Sequence, residues 1–140
     1  MAQAQDENHG TQWTNAFEEK SETAFADALA EDVVLEAAAL VKPVVGREKV
    51  KLGLTTASKL YERVVFTSNT TVGDNTWMQW EATIPGGTEL KGVTVLTRNS
   101  WGHISRIGIY HSPLSAMLTF SEEMGIRTRD SLGPGYFFRN

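Results

Sequence analysis

Residues 77–111 read WMQWEATIPGGTELKGVTVLTRNSWGHISRIGIYH, and their pattern decides the fold. Three β-rich runs, at 77–84, 90–97 and 103–111, are separated only by Pro85-Gly86-Gly87 and by Asn99-Ser100-Trp101-Gly102. Those separators are turn chemistry: glycine tolerates positive φ, proline presets its own φ, and asparagine bonds its own backbone. Turns this short join antiparallel neighbours, so the stretch predicts a meander. Just upstream, Val64-Val65-Phe66-Thr67 and the turn Gly73-Asp74-Asn75 add a further strand to it.

Before the meander the period changes from two to between three and four. Trp13, Ala16 and Phe17, then Ala24, Phe25, Ala28 and Leu29, share a helical face. Lys20-Ser21-Glu22 marks a break between two helices, with Ser21 as N-cap of the second. Val33-Val34-Leu35 is a short β-rich run, and residues 47–59 read as another helix opened by Val45-Gly46. After Pro113, residues 114–125 form a short helix with Gly125 as its stop. Helices followed by antiparallel strands give an α+β order. A long curved sheet must cover its concave face, and the early helices carry the only apolar stripes for it. The expected architecture is a strongly curved antiparallel sheet backed by N-terminal helices around a conical pocket.

Three parts of the chain are expected: a disordered arm over 1–10, one domain over 11–127, and a tail over 128–140. The tail holds Gly133-Pro134-Gly135 and then Tyr136-Phe137-Phe138. Three aromatics in succession are unsuited to open water, so the tail is expected to dock on its own domain or on a dimer partner.

Composition narrows the chemistry. With 140 residues, the chain can bury a core without staples. It has no cysteine, which removes disulfides, thiol nucleophiles and cysteine metal sites. A net charge of −4 without any Lys/Arg stripe argues against nucleic acid and anionic membranes as partners. No apolar run approaches the ~20 residues of a membrane helix, and no basic-then-apolar leader pattern opens the chain, so a cytoplasmic protein is expected. His9, His103 and His111 show no metal-ligand spacing, and no Gly-rich phosphate loop occurs. No metal or cofactor is expected.

Several stretches resemble one superfamily, the nuclear transport factor 2-like proteins in their SnoaL-like branch. Ala24-Phe25-Ala26-Asp27-Ala28-Leu29-Ala30-Glu31-Asp32-Val33-Val34 is similar to its helix-then-strand signature. Val45-Gly46-Arg47-Glu48 resembles its helix start. Leu90-Lys91-Gly92-Val93-Thr94-Val95-Leu96 and Trp101-Gly102-His103-Ile104 resemble its terminal strands, and Ser112-Pro113-Leu114-Ser115-Ala116 its exit from them. The resemblance covers residues 13–127 and implies a cystatin-like α+β cone. It implies a homodimer through the outer sheet face and a pocket for a small, largely apolar molecule. It does not choose a chemistry, because such a fold hosts isomerases, cyclases, dehydratases, hydrolases and non-catalytic binders. In ketosteroid isomerase an Asp base works with a Tyr and a protonated Asp. Counting along the matched segments puts that base at Ala37 and the protonated Asp at Thr94, so this mechanism is not expected here.

Alternation places Ile107, Ile109 and His111 on one face of their strand, and the resemblance turns that face to the pocket. His111 is then a candidate proton shuttle, with Glu81 or Asp32 as its partner carboxylate. Trp77, Gln79, Trp80, Ile107, Ile109 and Phe17 are candidate ligand contacts. Alternation leaves open which face of 77–84 looks inward: Gln79 and Glu81 are either pocket anchors or part of a solvated edge or dimer contact. Two functions follow, a ligand-binding protein with cofactor-free acid–base chemistry, or a non-catalytic binding or protein-interaction domain.

Overall fold

The computed structural model describes the backbone of residues 2–139 and the side chains of residues 11–139. The chain opens with helix α1 (Ala2–Glu19) and helix α2 (Glu22–Ala28). The break between them falls where the sequence puts it. Lys20 takes a left-handed φ of 53°, and the Ser21 side chain accepts a hydrogen bond from the Ala24 N–H at 3.1 Å. The Lys20 ammonium reaches across to donate to the carbonyls of Ser58 and Tyr61. In the stretch expected as an arm, the backbone continues α1 outward from Ala2. Its alanines and glutamines are helix formers, and no proline interrupts them. The side chains of residues 1–10 lie outside the described residues.

Strand β1 (Leu29–Ala37) follows directly, then the short β2 (Val44–Val45) and helix α3 (Arg47–Leu60). The meander is β3 (Arg63–Val72), β4 (Asn75–Ile84), β5 (Thr88–Arg98) and β6 (Ile104–Ser112), and helix α4 spans Leu114–Arg127. Among the described residues no helix is long and apolar enough to cross a membrane.

The six strands lie in the order β2-β1-β6-β5-β4-β3, so the sheet is open, with β2 and β3 at its edges. One pairing departs from the expected antiparallel sheet. β1 lies parallel to β6, with Leu35 opposite Ile107 and Ala37 opposite Ile109. Hairpin turns dictate only the pairing of β3 to β6; β1 arrives from far along the chain and takes the free edge of β6. Register shifts leave one extra residue in β3, between Phe66 and Ser68, and one in β6, between Ile104 and Arg106. Such bulges bend and twist the strands that carry them. The helices fill the concave side, where Trp13, Phe17 and Phe25 meet with ring centroids 5.1–5.8 Å apart. The fold is thus the α+β cone expected from the sequence.

Helix α4 does not stop at Gly125 but runs on to Arg127, and Thr128 closes it by bonding the Met124 carbonyl through both its N–H and its hydroxyl. Gly125 serves packing instead. A Cβ built there would lie 3.3 Å from Cβ of Phe137. The tail folds back over the domain as a strap. The Val41 N–H donates to the Tyr136 carbonyl at 2.8 Å, and the Phe138 N–H to the Ser121 hydroxyl at 2.8 Å. That hydroxyl in turn donates to the Ala39 carbonyl at 2.6 Å.

At the centre of the concave face the Trp80 indole lies across Gly92 on the neighbouring strand. A Cβ built on Gly92 would fall 2.6 Å from Cε2 of the indole, closer than real atoms approach. Gly92→Ala therefore overpacks this spot and should destabilise the fold by about 1–3 kcal/mol. Urea unfolding checks this, with a changed near-ultraviolet tryptophan signal as the local readout.

Candidate functional site

Inside the cone the structure leaves a cavity of about 50 Å³. Its wall is drawn from every layer: Phe17 of α1, Ala37 of β1, Leu54 of α3, Trp80 of β4, Ile109 of β6 and Phe120 of α4. No Asp, Glu, Lys or Arg is among the described residues that line it. The side-chain polar groups come from Tyr61, Trp80, Thr94 and His111 alone.

Two of these groups satisfy each other. The Trp80 Nε1–H donates to the Thr94 hydroxyl at 3.0 Å, within the buried interior. His111 is different: its Nδ1 is buried and has no hydrogen-bond partner among the described residues. The imidazole is wedged between Trp80 and Phe120, with ring centroids 5.5 Å and 4.9 Å away. Burial disfavours the imidazolium and pushes the His111 pKa down to about 4. Tyr61 lies one ring further on, stacked on Phe120 at 5.4 Å. Burial pushes its hydroxyl pKa well up, so it stays un-ionised. At neutral pH the cavity therefore holds two uncharged proton-bearing groups and no ion.

The sequence candidates separate into two sets. His111, Trp80, Ile109 and Phe17 line the cavity. Ile107 shares their face and is fully buried, but it sits deeper in the core and does not reach the cavity. Trp77, Gln79 and Glu81 are on the other side of the sheet. Thr76, Met78, Trp80, Ala82 and Ile84 are the buried alternates of β4, which leaves Trp77, Gln79 and Glu81 exposed. Asp32 is exposed as well. It lies inside β1 rather than before it, in a Glu31-Asp32 pair that faces solvent where the pairing with β6 is irregular. Neither proposed partner carboxylate thus lines the cavity with His111. Tyr61, where α3 gives way to the meander, is a buried wall residue. The sequence reading also missed Phe120, Met124 and Phe137, which belong to the cavity only because α4 and the strap fold back over the cone. Helical spacing on α4 was the one signal that could have pointed to the first two.

No protein-family model matches this chain, and no curated protein sequence does. Solved structures do match. An uncharacterised cystatin-like protein of Silicibacter pomeroyi DSS-3 superposes with a TM-score of 0.82 at 17% identity, over 88% of this chain and 86% of that one. This is the cystatin-like, nuclear transport factor 2-like fold. A steroid delta-isomerase of Pseudomonas aeruginosa shares the cone with a TM-score of 0.81 at 22% identity, over 91% of this chain and 93% of its own. A de novo designed protein with a curved β-sheet shares it too, with a TM-score of 0.62 at 18% identity, over 79% of this chain and 94% of that one. The likeness is one of fold, and a cone can be built with or without an active site. Ala37 and Thr94, the positions that sequence counting assigned to the isomerase acids, both line this cavity, and neither carries a carboxyl group. Among the described residues no cluster of His, Cys, Asp or Glu could hold a metal ion.

The lowered His111 pKa has a stability consequence with a definite sign. Between pH 6.5 and about 4 the unfolded chain takes up a proton that the folded chain refuses. Stability attributable to His111 therefore falls as pH drops through the unfolded pKa and levels off below the folded one, a loss of roughly 3 kcal/mol. Urea unfolding at about pH 7 and pH 4.5 should show a steeper loss for the wild type than for His111→Leu.

Proposed function

We propose that the cone binds a small, uncharged, largely apolar molecule, and that His111 Nδ1 makes its one polar anchor. The supporting observation is that buried nitrogen, left without a partner in a wall that is otherwise hydrocarbon, the mutually bonded Trp80–Thr94 pair and the Tyr61 hydroxyl. A buried polar atom without a partner costs about 1–3 kcal/mol, and a ligand that supplies the hydrogen bond recovers it. A neutral imidazole presents Nδ1 as acceptor in one tautomer and donor in the other, so a hydroxyl or a carbonyl group suits it. A charged ligand does not suit the site, because no lining residue would compensate an ion.

The same wall favours binding over cofactor-free acid–base catalysis. A general acid or base works best with a pKa near the operating pH. His111 and Tyr61 are pushed away from neutrality in opposite directions, and no carboxylate lines the cavity to pull either back. An isomerase, cyclase, dehydratase or hydrolase reaction would have to run on that pair alone. We further propose that two chains pair through the outer sheet face, where Trp77 is 41% and Tyr110 55% exposed beside the partly exposed Val65. Large aromatics exposed on an outer sheet face suit an association surface better than a solvated one.

Native mass spectrometry, followed by denaturing extraction, tests the binding reading. A neutral, apolar species that leaves on denaturation is the expected result. In a titration with phenol, which carries one hydroxyl on an apolar ring, the wild type should bind about tenfold more tightly than His111→Leu. A protein that purifies empty and binds phenol no better than the variant would rule the reading out.

A further inference from the structure

The cavity lies behind the strap, and on the strap's far side runs a second hollow. This groove, of about 410 Å³, is bounded by Glu122, Gly125, Ile126 and Arg129 of α4 and by the strap from Gly133 to Arg139. The residues lining the groove and those lining the cavity have one member in common, Phe137. Phe137 thus borders both an interior apolar space and a hollow on the outside of the molecule.

We propose that Phe137 is a displaceable plug, and that an apolar molecule of about aromatic-ring size enters the cone from this groove by taking the place of its ring. The inference rests on the binding reading above and adds to it the route and the ligand's size. Volume carries the first part. About 50 Å³ holds a few water-sized probes, whereas sites that enclose small molecules run to several hundred cubic ångströms. The site reaches ligand size only if a wall residue leaves. Three large wall residues are held in place: Trp80 by Gly92 and Thr94, Ile109 within the sheet, Phe120 between Tyr61 and His111.

The strap is held differently. Its backbone is fastened by the Val41–Tyr136 bond and by the Ser121 hydroxyl, with the single bridge of Leu40 to Phe137 between them. Gly133 and Gly135 flank Pro134 with φ of +92°, a left-handed conformation that places the bend just before the plug. The half-buried Tyr136 ring lies under the ammonium of Lys42 at 4.5 Å and accepts through its hydroxyl from Lys49. Withdrawal of Phe137 therefore breaks few contacts, exposes the cavity to the groove, and leaves the sheet intact.

Two probes of different size separate this route from the binding reading. Xenon fits the existing cavity, whereas naphthalene fits only once the ring has moved. Methyl resonances of Ile109 and Met124 should respond to xenon in the wild type. Naphthalene should bind about tenfold more tightly to Phe137→Ala, since the open state no longer has to be reached against the plug. Ser121→Ala keeps the ring but frees the Phe138 end of the strap, and should speed naphthalene association by a similar factor. If xenon shifts those methyls but Ser121→Ala leaves the association rate unchanged, the plug is refuted and the apolar site stands. A tighter Phe137→Ala complex alongside that unchanged rate would mean only a larger hole, and would refute it equally. No response to either probe in any variant would remove the site and its entrance together.

Discussion

The concave face of the sheet depends on one close approach, the Trp80 indole lying on the backbone of Gly92. A residue with any side chain at position 92 would push the ring into the space that Tyr61 and His111 occupy. Because the indole can lie flat, its N–H reaches Thr94 and its face and edge receive two further rings. Phe17 of α1, Phe66 of β3 and Phe120 of α4 then join through Tyr61 and one another. Aromatic contacts of this kind add about 0.5–1.5 kcal/mol each beyond the area they bury. The same web fills most of the cone, which is why the cavity left over is small and dry in character.

A fold shared with an isomerase does not bring the isomerase's chemistry along. This interior keeps only a small apolar cavity, and the two titratable groups that line it, His111 and Tyr61, are held un-ionised by burial and are not paired with carboxylates. An electrostatic site needs charges placed where a transition state develops them. Ion pairs among the described residues lie away from the cavity, such as Arg106 with Glu36 on the outside of β6 and β1, or Arg127 with Glu123 along α4.

The meander was legible because its turns are chemically explicit: Gly73, Gly86, Gly87 and Gly102 all take positive φ. The break at Lys20-Ser21 was legible for the same reason, since capping is local. Alternation in β6 also sufficed to set His111 on the face with Ile109. It failed in β4 because both faces carry a tryptophan there, Trp77 outward and Trp80 inward, so pattern alone could not choose between them. The parallel pairing of β1 was invisible, as no local signal links residues some seventy positions apart. The enclosure of Tyr61 and the part played by Phe137 were hidden likewise, because each depends on a segment that returns from the far end of the chain.

The parallel union of β1 with β6 also imposes an order on folding. Residues 29–37 have their main partner at 104–109, and the chain between them must close a long loop before that pairing gains anything. The hairpins from β3 to β6 need no such closure and can form from neighbouring residues. The N-terminal strand is thus a late addition to a sheet the C-terminal half assembles. The strap must come later still, since it docks on Ala39 and Val41 just beyond that strand. The sealing of the interior is consequently the closing event of folding, and the edge of β6 stays open to other strands until β1 arrives.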